Sequence, residues 1–247
     1  NIINELINNQ RIIGGVNKQS NFVSSNLYKS FVKGKILLTD SKTAEMVKLT
    51  ENSFRDVNIA FANELSILSD DMDIDVEELI FLANRHPRVN ILNPGCGVGG
   101  HCISVDPWFI VDSANGKAKM IEQARKTNDF KATWVVEKIK NHVLEFKKNN
   151  GRTPTISCMG LSYKPDIDDL RESPAVQIAK MLVDLDIDTI VVEPNIQSHE
   201  VFNLCSFHEA LDADLLVLLV KHKEFLILEN KEMLLDVNTL DFCGVFS

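Results

Sequence analysis

The chain has no excess of positive charge, no paired-cysteine motif and no apolar run of membrane-spanning length, and each absence removes a class of protein. Lys and Arg number 26 against 35 Asp and Glu, a formal net charge of −9. Nucleic acids and anionic membrane surfaces both demand a basic face, so neither is an expected partner, and any anionic ligand must be held by local Lys and Arg. The five cysteines, Cys96, Cys102, Cys158, Cys205 and Cys243, are odd in number and form no C-x-x-C, which argues against a disulfide framework. The opening "NIINELINNQRIIGG" lacks the basic start and cleavage site of a signal peptide, and the expected location is the cytoplasm. What remains is 247 residues, 45% hydrophobic and 25% charged, the profile of a globular protein with one large or two ordinary domains.

The stretch from Pro94 to Trp108, "PGCGVGGHCISVDPW", concentrates the chemistry. It sets Cys102 directly after a run rich in glycine and places Asp106 four residues beyond the thiol. Glycine lets backbone approach a ligand closely, so a thiol at the end of such a loop reads as presented to something. Gly95, Gly97 and Gly100 also fit G-x-G-x-x-G. That fingerprint needs a strand before it and a helix opening on it, whereas "RHPRVNILNP" precedes it and Pro107 interrupts the residues after it, so it is not expected to be a dinucleotide site. A zinc site at Cys96, His101 and Cys102 is disfavoured because adjacent residues do not easily ligate one ion and no C-x-x-C supports it.

Before this loop, "RIIGG" (11–15) and "KILLTD" (35–40) read as strands around a helix from about Lys18 to Val32. So few elements bury too little to stand alone, and they suggest the tail of a truncated α/β domain over 1–40. A long helix comes next, from Ser41 to about Met72, with Ser41 or Thr43 as cap. On it Lys48, Asn52 and Arg55 share one stripe, either a solvated face or a set of groups turned inward toward a ligand; periodicity alone leaves both open. A second helix spans about Asp75 to Asn84, and His86 and Arg88, flanking Pro87, read by themselves as surface residues. A third, Ala118 to Asn150, is amphipathic, with a break expected near Asp129 and its end at Gly151 and Pro154. Such helices commonly bridge domains or form a dimer seam, which makes 41–150 a central helical domain.

From residue 151 the pattern changes to short apolar runs, "TISCMGLSY", "DTIVVEP" and "DLLVLLVKH", separated by helical stretches such as Ala175 to Leu185. This predicts a doubly wound α/β domain with a parallel sheet over 151–247. Its first strand ends at "GLSYKPDIDDLRESP", which places Tyr163, Lys164 and Arg171 outside the carboxyl end of the sheet, the usual ligand crevice, unless the segment is only a charged loop. Ser173-Pro174 begins the next helix, whose amides suit a phosphate.

Three segments, "TAEMVKLTENSFRDVNIAFANEL", "RHPRVNILNPGCGVGGHCISVDPWFIV" and "GLSYKPDIDDLRESPA", together resemble the UDP-glucose/GDP-mannose dehydrogenase family, in the same order and over nearly the whole chain. The resemblance implies an N-terminal Rossmann domain for NAD, a helical middle domain that forms a homodimer, and a C-terminal domain for the UDP part of a UDP-sugar, of which this chain holds the last two and the end of the first. It implies that Cys102 is the catalytic thiol, assisted by Lys48, Asn52 and Asp106. Substrate contacts fall on Arg55, His86, Arg88, Gly99, Tyr163 and Lys164, and an NAD contact on Arg171. The implied reaction is a two-step oxidation of a sugar C6 alcohol to a carboxylate. Two residues depart from the pattern: Cys96 replaces a proline of "PGPGVGG", expected to loosen the loop, and Cys243 stands at a basic position near the end. With the cofactor half absent from this sequence, the alternative is a non-catalytic, dimerising fragment that binds a UDP-sugar.

Overall fold

The computed structural model describes residues 2–246 and falls into two compact units, Asn1–Phe54 and Arg55–Ser247. The first opens on a short helix, α1 (Ile2–Asn8), which the sequence pattern does not announce, and continues as β1 (Arg11–Gly15), α2 (Lys18–Lys29) and β2 (Ile36–Asp40). The two strands pair in parallel, Arg11 opposite Ile36 through Gly15 opposite Asp40, a pairing that needs a crossover helix between them. Asn17 caps that helix, its side chain accepting the Ser20 N–H at 2.9 Å. Ile12, Leu37 and Leu38 stay exposed on the two-stranded sheet.

At the end of β2 begins α3 (Ser41–Asp71), 31 residues without Gly or Pro. Its cap is Asp40, whose carboxylate accepts the Thr43 N–H at 3.0 Å and the Thr43 hydroxyl at 2.7 Å. Neither Ser41 nor Thr43 takes that place: an acceptor just outside the first turn satisfies an amide that a residue inside the turn cannot reach.

The second unit contains the remainder of α3, then α4 (Val76–Ala83), α5 (Asp106–Ser113) and α6 (Lys119–Asn150). Asp75 caps α4 through the Glu77 and Glu78 N–H groups. The break expected in α6 is absent; Asp129 instead pairs with Arg125 one turn earlier, which favours the helix through that point. Gly151, at φ +72°, ends it in the left-handed conformation that a glycine adopts without a steric penalty.

A four-stranded parallel sheet comes after it, built from β3 (Ile156–Met159), β4 (Thr189–Val192), β5 (Leu215–Leu218) and β6 (Thr239–Asp241) in the order β4-β3-β5-β6. The helices between these strands are α7 (Pro174–Asp184), α8 (Phe207–Ala210), α9 (Lys223–Leu226) and α10 (Leu228–Leu235). Strand alternation sorts the core into two layers: Ile156, Cys158, Leu215 and Val217 face α6 and α7, whereas Met159, Leu216 and Leu218 face Phe207, Phe225 and Leu234 on the opposite side. The fold is therefore mixed α/β, with a doubly wound sheet after a helical layer. Neighbouring strands on either side of β3 are reached by crossovers in opposite directions, so the switch point lies between the carboxyl ends of β3 and β5. Among the described residues no helix is long and apolar enough to cross a membrane.

Candidate active site

A cleft of about 370 Å³ opens at that switch point. Ser162 to Pro165 after β3 and Leu219 to Lys221 after β5 form two of its walls, and Asn93 to Gly97 of the glycine-rich segment forms a third. Tyr163 and Lys164 thus line the crevice. A second cavity of about 430 Å³ shares Asn93, Pro94, Lys221 and Cys243 with it and reaches Glu77, Phe81 and Arg85 on or beside α4.

The glycine-rich segment has no strand before it, since residues 89–99 carry neither strand nor helix, so it is not a dinucleotide turn. A helix does come after it, however. Pro107 sits in the first turn of α5, where the missing N–H has no partner to lose, and so does not break the helix as expected. The loop is held at its start by a buried relay of amides. The Gly95 N–H donates to Asn63 Oδ1 at 2.9 Å, Asn63 Nδ2 to Asn128 Oδ1 at 2.9 Å, and Asn128 Nδ2 to Asp56 Oδ1 at 2.8 Å. Asp56 is itself buried against Arg125, with Arg125 Nη1 at 2.6 Å. Burial pushes the Asp56 carboxyl up, and the Arg125 charge opposes that shift.

At its other end the loop packs on the segment after β3. The Gly100 N–H donates to the Arg171 carbonyl at 3.0 Å, with Gly100 at φ +81°. A Cβ on Gly99 would stand 2.5 Å from the Glu172 carbonyl oxygen and 2.7 Å from the Tyr163 Cβ. Gly99→Ala is therefore expected to destabilise the chain by about 1–3 kcal/mol, because backbone on one side and a packed side chain on the other cannot both retreat. Thermal unfolding of the variant checks this.

Cys102 emerges from the loop half-buried and free. Its carbonyl accepts the N–H groups of Val105 (3.1 Å) and Asp106 (2.8 Å), which turns the chain into α5 and brings Asp106 one turn past the thiol. Arg171 lies within electrostatic reach of both Cys102 and Tyr163. Its guanidinium is gripped by Asp169 at 2.6 to 3.1 Å, and these hydrogen bonds hold the Asp169 carboxyl down at about 2. Gly99, Cys102, Asp106, Tyr163, Lys164 and Arg171 are thus carried by segments that touch or adjoin, but of these only Tyr163 and Lys164 line the cleft. Arg55, His86 and Arg88 are exposed and do not line the cleft; the Arg88 N–H bonds to His86 Nδ1 at 3.3 Å. In the first unit, Lys48 Nζ donates to Asn52 Oδ1 at 3.3 Å across one turn of α3, with Lys48 exposed and Asn52 buried.

The departures from the family pattern have structural places. Cys96 does not dangle in a loosened loop: it is buried in the core layer under α6 with Sγ 3.5 Å from the Leu219 carbonyl, and burial pushes its thiol up to about 12. Cys243 lines the cleft with a thiol raised by burial. Among the described residues no cluster of His, Cys, Asp and Glu could hold a metal ion.

Sequence reasoning missed Asn93, Lys221 and a buried group beneath the cleft, Glu193 with His222. Glu193 stands directly after β4 and His222 four residues past the end of β5, and the switch-point logic applied to Tyr163 and Lys164 would have reached them. Glu193 is held down at about 2: burial works against its charge and is outweighed by hydrogen bonds from His222, the Leu161 N–H and Asn195. A carboxyl lowered in the folded state stabilises it above the unfolded value near 4.5, and that stability is lost as pH falls toward about 2. Glu193→Gln is expected to lower the melting temperature at neutral pH and to flatten its fall between those two values, which a series of melting curves would show.

A doubly wound sheet with a switch-point cleft, faced by a glycine-rich loop that presents a thiol, defines a class of α/β enzyme-like domain with a helical layer before it. Residues 42–130 match the central domain of the UDP-glucose/GDP-mannose dehydrogenase family and residues 157–245 match its UDP binding domain; the chain belongs to that family. It is 53% identical over 241 residues to a UDP-N-acetyl-D-mannosamine dehydrogenase of Campylobacter jejuni, covering 94% of this chain and 58% of that protein. It is 51% identical over 230 residues to an NDP-N-acetyl-D-galactosaminuronic acid dehydrogenase of Ralstonia solanacearum, covering 91% and 53%. The solved structure of a UDP-D-ManNAc dehydrogenase from Pyrococcus horikoshii superposes with a TM-score of 0.85 at 35% identity, over all of this chain and 59% of that one. The chain spans little more than half the length of these relatives.

Proposed function

We propose that these residues form the central and UDP-binding parts, 41–150 and 151–247, of an NAD-dependent UDP-sugar 6-dehydrogenase, with 1–40 the end of its cofactor domain. The substrate proposed is UDP-N-acetyl-D-mannosamine, oxidised to the uronate as a cytoplasmic precursor of cell-surface polysaccharide. The observation that carries this is the coincidence of the switch-point cleft, lined by Tyr163 and Lys164, with the loop that ends in Cys102. Names of relatives at 51–53% identity support the substrate class.

In this reading Lys164 and the loop amides receive the UDP end, while Arg55, His86, Arg88 and Gly99 complete the substrate contacts. The sugar's C6 alcohol is first taken to the aldehyde. Cys102, as thiolate, then bonds to the aldehyde carbon to give a thiohemiacetal; loss of hydride leaves a thioester, and water releases the acid and the thiol. Lys48 and Asn52 stabilise the oxyanions and move protons, and Asp106 orients Lys48 or the water. The balance is one alcohol, one water and two NAD giving one carboxylate, two NADH and three protons. NAD supplies the acceptor for the two hydrides. Toward it the chain offers Arg171, whose exposed side chain suits a phosphate or ribose. Phe61, Leu68, Phe130 and Leu144, exposed apolar residues on α3 and α6, support a homodimer through the central helices. Sedimentation is expected to show a dimer at micromolar concentration, and a stable monomer would refute this part.

The test of the whole is NADH release from the polypeptide encoded by the complete reading frame, offered a panel of UDP-sugars. UDP-N-acetylmannosamine is expected to be the best substrate, and preference for UDP-glucose would move the reading to another member of the family. A non-catalytic, UDP-sugar-binding dimer is the second reading, and UDP-sugar binding without NADH release by that polypeptide would favour it.

A further inference from the structure

The loop that carries Tyr163 and Lys164 is fastened at both ends by one buried pair of side chains. Glu193, the residue after β4, is 4% exposed, and its carboxylate accepts five N–H donors. Oε2 takes the backbone N–H groups of Leu161 (2.7 Å) and Ser162 (2.9 Å) together with His222 Nε2 (3.1 Å). Oε1 takes the backbone N–H of Asn195 (3.0 Å) and its Nδ2 (2.9 Å). His222, four residues past the end of β5, is 1% exposed. Its Nδ1 accepts the Asp166 N–H at 3.0 Å and Asn195 Nδ2 at 3.1 Å. With Nδ1 occupied as an acceptor, the ring proton resides on Nε2 and is given to Glu193.

Leu161 and Ser162 enter the loop on Glu193, and Asp166 leaves it on His222, so only Tyr163, Lys164 and Pro165 lie between the fastenings. Two further bonds stiffen the span: Ser162 Oγ to the Lys164 carbonyl at 2.8 Å, and the Lys223 N–H to Asp166 Oδ1 at 2.9 Å. A buried carboxylate is costly wherever its lone pairs go unmatched, and an apolar pair would fill this volume without that risk. Here every donor it meets belongs to the loop, to His222 or to Asn195, which itself braces His222.

We propose that Glu193 and His222 are positioning residues for the nucleotide-sugar site, holding the Leu161–Asp166 loop so that Lys164 faces the switch-point cleft and Tyr163 bears on Gly99 and Gly100, two residues before the thiol. This rests on the reading of that cleft as the UDP-sugar site. The two carboxyl-terminal strand ends therefore act as one template for the phosphate-side wall.

The test compares Glu193→Gln, Glu193→Ala, His222→Ala and His222→Gln in the 247-residue chain with Asp214→Asn, a control at the opposite end of the same sheet. Asp214 binds Arg152 at 2.6 Å and the Thr155 N–H at 2.9 Å, so its loss loosens the sheet without touching the loop. Calorimetric titration with UDP is expected to show affinity falling roughly ten- to a hundredfold in Glu193→Gln, Glu193→Ala and His222→Ala, because a wall displaced by about an ångström no longer meets its ligand. His222→Gln, which keeps a donor for Glu193, should recover part of the loss. Asp214→Asn should lower the melting temperature and leave the affinity near that of the parent chain. Affinities that simply track melting temperature across all five variants overturn the proposal. Amide hydrogen exchange, which needs no ligand, is expected to quicken from Tyr163 to Asp166 in Glu193→Gln, and unchanged exchange there also overturns it. Failure of the parent chain to bind UDP would instead refute the reading of the cleft, while the exchange rates still judge the fastening.

Discussion

Cys102→Ser is expected to lower acid formation by roughly 10³-fold or more in the polypeptide encoded by the complete reading frame, because a hydroxyl lacks the thiol's ready nucleophilicity. Affinity for the UDP-sugar should stay close to that of the parent. Cys102 reaches the outer half of the loop, while the cleft walls are formed by Asn93 to Gly97, Ser162 to Pro165 and Leu219 to Lys221, none of which the substitution touches. Gly100 and Arg171 keep their backbone bond in the variant, so the loop retains its path. Separate assays of alcohol consumption, acid release and calorimetric binding distinguish the possible failures. Normal acid release by the serine variant would remove the thioester route, and loss of binding alongside turnover would make Cys102 a structural residue.

The 247 residues by themselves are expected to gain thermal stability from a UDP-sugar and to reduce no NAD. All three walls of the switch-point cleft belong to the second unit, which supplies Tyr163 and Lys164. Toward NAD the position is different. Micromolar binding requires roughly 8 kcal/mol. One charged hydrogen-bonding side chain contributes only about 1.5–3 kcal/mol. Arg171, moreover, is already gripped by Asp169 through both Nε and Nη2. In the single G-x-G-x-x-G stretch of the sequence, Gly95 to Gly100, the glycines Gly97, Gly99 and Gly100 are spent on packing against Tyr163, Glu172 and Pro174, and the stretch comes after no strand. The measurement is NADH absorbance after mixing chain, NAD and UDP-sugar, beside melting curves with and without the sugar nucleotide. Turnover would place a cofactor site within these residues, with the glycine loop as its first candidate.

The parts of the fold legible in the sequence were those whose cause is local. Helices α3 and α6 could be read because apolar periodicity runs for eight or nine turns with no Gly or Pro, and β3, β4 and β5 because short apolar runs end in turn residues. Helix α5 was hidden by Pro107, since a proline reads as a stop until its register within the first turn is known. The elements α8, α9, α10 and β6 are short, and their apolar residues find partners only through tertiary contact; α1 is equally short and buries none of its residues. At the site, Cys102, Tyr163 and Lys164 stand in segments with a strong residue signature. Glu193 and His222 do not: one looks like the end of a strand and the other like a stray histidine, and only the sheet order brings them within 3.1 Å. The stripe of Lys48, Asn52 and Arg55 shows the limit of periodicity from the other side, because it correctly pairs Lys48 with Asn52 but cannot say that the amide is buried and both cations exposed.

The strand order also governs how this chain reaches its native state. Strand β3 is the first of the four to be made and lies between β4 and β5, so it cannot pair until crossovers of tens of residues have closed on either side. Parallel pairings of that separation form slowly compared with hairpins or helices. Until then Leu215 to Val220, six consecutive apolar residues that end buried, are open to other copies of the same segment. Refolding from denaturant should therefore yield native protein at low concentration and aggregate as concentration rises, with the charged residues on either side of the run, Asp212, Asp214 and Lys221, as the natural brake on that association.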